Sequence, residues 1–218
     1  MAFGSRGFWL IAQHRSTAVF VMALVAVCQA VATVSFQTVT NNRILTPSIM
    51  GFESLYRAIQ TTSVYLFWLA GLAAFTGVWA FVLQVGVMMA LACALYGWLL
   101  SGRFANLQVM LLVGIVIGGG LGSVSSFMQR LLTLSEFDVL AARMFGSVGN
   151  ANPAYFPVAI PLVILACGVL WFSSRSLNTL SLGRDAAINL GVNHRRTLII
   201  VLIASSALIA TSTAMVGP

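Results

Sequence analysis

Long apolar stretches separated by short polar breaks dominate this chain. Uncharged windows run over 16–42, 58–102, 104–129, 144–174 and 197–218. A helix needs about 20 mostly apolar residues to cross the hydrocarbon core of a bilayer, so four windows hold one crossing each and the longest holds two. The pattern predicts helices near 17–38, 48–68, 79–101, 105–129, 155–174 and 196–216. None of these runs alternates apolar and polar positions over ten-residue units, which excludes a transmembrane barrel. The fold class is therefore all-α: a polytopic helical membrane protein of about six transmembrane helices, with a single transmembrane domain over 1–218.

One polar island interrupts the pattern, R-S-L-N-T-L-S-L-G-R-D-A-A-I-N-L-G-V-N-H-R-R from Arg175 to Arg196. Asp185 follows Gly183 by two residues, where a negative charge suits the start of a helix, and Gly191 stands where a left-handed cap would end one. These signals predict a short amphipathic helix over 182–190. Arg175, Arg184, Arg195 and Arg196 lie in or beside it, and cytoplasmic loops of membrane proteins carry such an excess. With the island inside and the crossings alternating, Arg43 and Arg103 also fall inside, whereas Arg6, Arg15, Arg130 and Arg143 fall outside. The vote agrees with the positive-inside rule by a small margin.

Composition reinforces the membrane reading. Hydrophobic residues make up 60% and charged residues 7% of 218, against about a quarter charged in soluble domains. Lysine is absent, so the net charge of +7 is carried by eleven arginines against four acids. No basic run has interleaved aromatics, so the charge is an orientation signal and no nucleic-acid partner is expected. Cys28, Cys93 and Cys167 sit inside apolar runs, far apart in sequence, and are expected to be core residues without a disulfide or metal.

Two spans carry features of their own. The second opens with Pro47 and places Glu53 and Arg57 one turn apart, an ion pair expected close to the membrane edge. The fourth contains Gly114, Gly118 and Gly122 at intervals of four, a groove suited to close helix packing or to lining a path. After it, Ser135-Glu136-Phe137-Asp138 resembles a capping box for a short helix outside, ending at Gly146.

Catalytic constellations are missing. No H-E-x-x-H zinc motif occurs, His14 and His194 are far apart, and a chain without lysine has no P-loop. Gly146-Ser147-Val148-Gly149 is too short for a nucleophile elbow. No enzyme, cofactor or metal is expected.

Three stretches resemble the permease subunits of ABC importers for iron chelates and cobalamin. T-N-N-R-I-L-T-P-S-I-M-G-F, Thr40 to Phe52, is similar to that family's N-P-L-A-x-P-x-x-L-G signature, with Asn42, Pro47 and Gly51 at matching positions and Met50 where leucine is usual. L-N-T-L-S-L-G-R-D-A-A-I-N-L-G-V, Leu177 to Val192, is similar to its cytoplasmic coupling segment. Gly217-Pro218 resembles the opening of a further glycine-proline motif. The wording around Thr40 is similar to the catecholate-siderophore subgroup. In A-Q-H-R, Ala12 to Arg15, only Arg15 matches the family's R-x-P-R.

The resemblance implies a truncated member, the middle portion of a ten-helix permease, supplying its second through seventh helices. It implies transport of an iron-siderophore complex across the bacterial cytoplasmic (inner) membrane, with ATP hydrolysed by a partner ABC ATPase. A second permease subunit, identical or different, and a periplasmic or lipoprotein substrate-binding protein complete the implied assembly. Residues carried over are Leu182, Gly183, Arg184, Asp185, Ala186, Leu190 and Gly191 for ATPase coupling within segment 175–196, and Arg15 for docking the binding protein. The residues alone leave an ion-gradient-driven secondary transporter and a non-transporting membrane scaffold open as alternatives.

Overall fold

The computed structural model describes residues 5–43, 46–72, 77–101, 107–144, 148 and 153–217. Its helices are α1 (Ser5–Thr40), α2 (Phe52–Leu72), α3 (Val78–Ser101), α4 (Leu107–Leu131), α5 (Leu134–Met144), α6 (Phe156–Phe172), α7 (Ser174–Leu180), α8 (Arg184–Asn189) and α9 (His194–Val216). Two 3-10 turns, Pro47–Met50 and Pro153–Tyr155, lead into α2 and α6. The six expected spans correspond to α1, α2, α3, α4, α6 and α9. Among the described residues, Ile11–Thr40, Leu112–Leu131, Pro153–Phe172 and His194–Val216 are long and apolar enough to cross a membrane.

α9 is the central element. It packs against α1, α3 and α6, and from Ala204 to Thr213 every side chain is buried. Its sequence there, A-S-S-A-L-I-A-T-S-T, is rich in small residues, which let helix backbones approach closely where lipid supplies no hydrophobic drive. The hydroxyls return to the helix's own carbonyls: Ser206 Oγ donates to Leu202 O at 2.6 Å and Thr211 Oγ1 to Ala207 O at 2.7 Å. α1 runs antiparallel to α9, joined by Gln29 Nε2 donating to Ser212 Oγ at 2.9 Å and Ser205 Oγ to Ala32 O at 3.5 Å.

α2 and α4 form a second, parallel pair. Gly51 lies against Gly118, and Gln129 Nε2 donates to Thr61 Oγ1 at 3.4 Å, so both chains advance in the same direction. α5 folds back over α2, burying Leu140 against Val64. α1 ends beside α7, and α2 starts from that end, so α5 stands at the opposite end of the bundle from α7 and α8.

Four local expectations are corrected. α1 begins at Ser5 instead of 17; its 36 residues extend about 54 Å at 1.5 Å per residue, longer than a hydrocarbon core of about 30 Å. Arg15 therefore sits on a helix, exposed, and not in a leading loop. The helix expected over 182–190 is shorter, Arg184–Asn189, and a separate helix, α7, precedes it. The cap of α5 is Thr133, not Ser135: Glu136 Oε2 accepts from Thr133 N at 2.8 Å and from Thr133 Oγ1 at 2.7 Å. α5 is described to Met144, and Gly146 lies outside the described residues, as do Arg103 and Pro218.

Candidate functional site

The α7–α8 corner is assembled from glycine conformations and one buried contact. Gly183, at φ +105°, turns the chain after α7 and precedes α8; Gly191, at φ +80°, closes it. Both angles lie in the region that residues with a Cβ avoid. At the closing end Gly191 N donates to Ile188 O at 2.9 Å and Val192 N to Ala187 O at 3.0 Å, the paired bonds of a Schellman cap. Asn193 Oδ1 then accepts from Arg196 N at 3.1 Å and caps α9.

Ala187 is fully buried, with Leu177 and Leu180, and anchors this corner to the bundle. Leu182 (68% exposed), Ile188 (50%) and Leu190 (65%) point away from it, with Asp185 exposed in the first turn of α8 and Ala186 half-buried. Three exposed aliphatic side chains on a corner otherwise made of Ser, Asn, Arg and Asp form a small apolar patch with a polar rim, the composition of a protein-docking surface. Ile188 is the member of this patch that sequence reasoning missed. Its place one turn after Asp185, on the side of α8 away from Ala187, was the available signal. The side chain of Arg184 lies outside the described ones.

Residues of the second stretch meet the glycine helix. Thr46 is extended, buried Pro47 opens the 3-10 turn, and Gly51 ends it at φ +93°. A Cβ on Gly51 would lie 3.0 Å from Gly118 Cα and 3.3 Å from Gly114 O; one on Gly118 would lie 2.8 Å from Gly51 Cα. Gly51, Gly114 and Gly118 are thus one backbone-to-backbone contact. Gly122, half-buried, faces Ser54 Oγ. Asn42 is exposed just past the end of α1, where Gln37 Nε2 donates to Arg43 O at 2.8 Å and steadies the turn.

This register also places the charged pair. Glu53 Oε2 and Arg57 Nη2 are 3.6 Å apart, each side chain about half exposed. Because Gly51 is level with the middle of α4, the pair lies beside α4's second half. Arg57 joins Gly122, Ser125, Ser126, Gln129 and Met144 around a cleft of about 260 Å³. A separate groove of about 440 Å³ runs between α1, α6 and α7, walled by Val34, Leu170 and Trp171 among others. No group of three or more His, Cys, Asp or Glu capable of holding a metal occurs among the described residues.

The FecCD transport family profile matches residues 3–218, nearly the whole chain. The chain belongs to the FecCD transport family. Among its relatives in this family, the petrobactin import system permease protein FatC of Bacillus anthracis is 50% identical over 214 residues, 98% of this chain and 60% of that protein. The petrobactin import system permease protein YclO of Bacillus subtilis is 39% identical over 189 residues, 87% of this chain and 60% of that protein. The chain thus spans 60% of the length of both relatives. A solved metal-chelate type ABC transporter in an inward-facing conformation superposes with a TM-score of 0.80 at 23% identity, covering 100% of this chain and 68% of that one. The FecCD chain therefore has the fold of that matched chain, and its central α9 and paired α2 and α4 are parts of that fold.

Proposed function

We propose that this chain is the membrane-spanning permease part of an ABC importer that carries an iron-siderophore complex, of the petrobactin type, into the cell. The observation that carries the proposal is the 50% identity to FatC across 98% of the chain. The α7–α8 corner supports it. A subunit driven by a separate motor needs a rigid projection at one end of its helices, and this one is locked by Ala187 and the Schellman cap while presenting Leu182, Ile188 and Leu190.

The mechanism follows from the connections. An ABC ATPase closing on ATP presses the corner, apolar residues seat in its groove, and Asp185 with Arg184 fixes the register. Displacement passes into α9, which begins five residues after Asn189 and is packed on α1, α3 and α6, so the three helices move with it. A second permease subunit faces this one across the path, in the cytoplasmic membrane. A substrate-binding protein delivers the chelate at the other end, near Arg15, which lies ten residues into α1.

The test is coupling. Asp185→Lys combined with Leu190→Ala in the assembled transporter is expected to leave insertion and ATP hydrolysis in place while ferric petrobactin uptake into vesicles falls at least tenfold. Uptake that stays in step with ATP hydrolysis would count against the assignment.

A further inference from the structure

The pair Glu53–Arg57 demands an explanation that the coupling corner does not supply. Arg57 lies six residues beyond Gly51, about 9 Å further along the helix, while Gly51 is level with the middle of α4. With α4 centred in the bilayer, as the importer reading has it, that distance is well inside the half-thickness, about 15 Å, of a hydrocarbon core. Both side chains are nevertheless about half exposed. Half-exposed charges at that depth are not tolerated against lipid, and face a water-filled space or another chain.

The surroundings point to a water-filled space. α4 shows Gly119, Ser123 and Ser126 exposed on the side next to the cleft, while Val116, Val124 and Phe127 are exposed further round the helix. Within the cleft the hydrogen donors are unevenly shared. Ser125 Oγ gives its proton to Leu121 O at 2.8 Å and Ser126 Oγ to Gly122 O at 2.9 Å. The Gln129 amide has only a long bond to Thr61 Oγ1, 3.4 Å, and a weak one to Met144 Sδ, 3.8 Å. Arg57 makes a single 3.6 Å contact with Glu53, although a guanidinium carries five N–H donors. The spare donors are thus those of Arg57, while both N–H groups of Gln129 are held only weakly, and Glu53 is not among the cleft-lining residues. At about 260 Å³ the cleft falls below the roughly 300–1,000 Å³ of sites that enclose a whole ligand. Its size suits one group of a larger molecule.

We infer that Arg57, held by Glu53 and assisted by Gln129, is a station on the translocation path that receives an anionic group, a carboxylate or phenolate oxygen, of the ferric chelate. This rests on the importer reading and adds a residue to it. Glu53 neutralises Arg57 when the path is empty; the passing anion takes its place and then yields to it again. Such an exchange keeps the station attractive enough to enter and weak enough to leave.

Two measurements in the assembled transporter test this. In vesicles, Arg57→Gln is expected to raise KM for an anionic ferric chelate about ten- to hundredfold, the range of a charged hydrogen bond. Uptake of a neutral ferric hydroxamate in a wild type that carries both, and ATP hydrolysis, should change less than about twofold on the same scale. Arg57→Lys should retain most of the anionic uptake, and Glu53→Gln should lower both KM and kcat. Equal effects of Arg57→Gln on the two chelates, or none, overturn the inference alone; a wild type that imports no ferric chelate overturns the importer reading and the station with it. The second measurement needs no transport. A cysteine at Ser126 should react faster with an anionic methanethiosulfonate than with a cationic one, and Arg57→Gln should abolish that preference. A cysteine there that neither reagent reaches, or a preference indifferent to Arg57, overturns the inference.

Discussion

Replacing Gly118 by alanine tests the backbone contact between Gly118 and Gly51. The new Cβ would stand 2.8 Å from Gly51 Cα, whereas carbon atoms rest at about 3.5–4.0 Å. The obstacle is main chain, in a 3-10 turn stiffened by Pro47, so no side chain can swing aside. Overpacking of this kind costs about 1–3 kcal/mol. Alanine also gains about 1 kcal/mol over glycine in a helix interior, which would blur a single measurement. Gly119→Ala removes that ambiguity, because a Cβ there meets nothing within 4 Å and receives the same helical gain. The difference between the two variants is therefore the contact itself, about 1–3 kcal/mol against Gly118→Ala. Gly51→Ala should be worse, since the left-handed conformation at φ +93° adds about 1–2 kcal/mol of strain. Unfolding in mixed micelles with increasing dodecyl sulfate, followed by tryptophan fluorescence, reads these differences. Equal stability of Gly118→Ala and Gly119→Ala would refute the proposed register of α2 on α4.

Two further outcomes follow from hydrogen bonds. Ser212→Ala removes the acceptor of Gln29 between α1 and α9 and should cost about 0.6 kcal/mol, the average for an interhelical bond in a membrane protein, with a ceiling near 1.7; a loss above about 3 kcal/mol in the same micelle assay would exceed that ceiling and contradict the pairing. The bonds from Thr133 N and Oγ1 hold the Glu136 carboxyl below its ordinary value of 4.5. A depressed native value means that the contribution of the cap is complete above the unfolded value and is lost as pH falls through the native one. Protection of the amides in the first turn of α5, taken relative to their intrinsic exchange rates, should therefore fall on acidification below about 4.5, and in Glu136→Gln that fall should disappear; an unchanged protection profile in that variant would refute the cap.

Helix existence was legible because apolar length alone specifies a crossing, and each of the six expected spans has its counterpart. Position was less legible. The burial of α9 rests on its run of Ala, Ser and Thr, a packing signal that hydropathy ranks below the Leu and Val of α6, which mostly faces outward. Charges and glycines give no register between helices, so the place of Glu53 and Arg57 beside the second half of α4 came only with the Gly51–Gly118 contact. The closing glycine was readable: Gly191 adopts the positive φ that its place after α8 requires, and Gly183 before α8 does so too. The helix α7 was not, because Ser174–Leu180 is too short and polar to stand out from a loop between 174 and 182. The capping box was expected too late, at Ser135, because Ser135 and Asp138 carry the same three-residue spacing as Thr133 and Glu136; only geometry shows that the Glu136 carboxylate reaches Thr133 N.

The most direct test of the account is where the α7–α8 corner stands and what it touches. A single cysteine at Leu182 or Ile188, both exposed, should be labelled by a membrane-impermeant maleimide only from the cytoplasmic side and should cross-link to the partner ATPase in the assembled transporter. Labelling from the outside alone, or a corner that never cross-links to the ATPase, would contradict it.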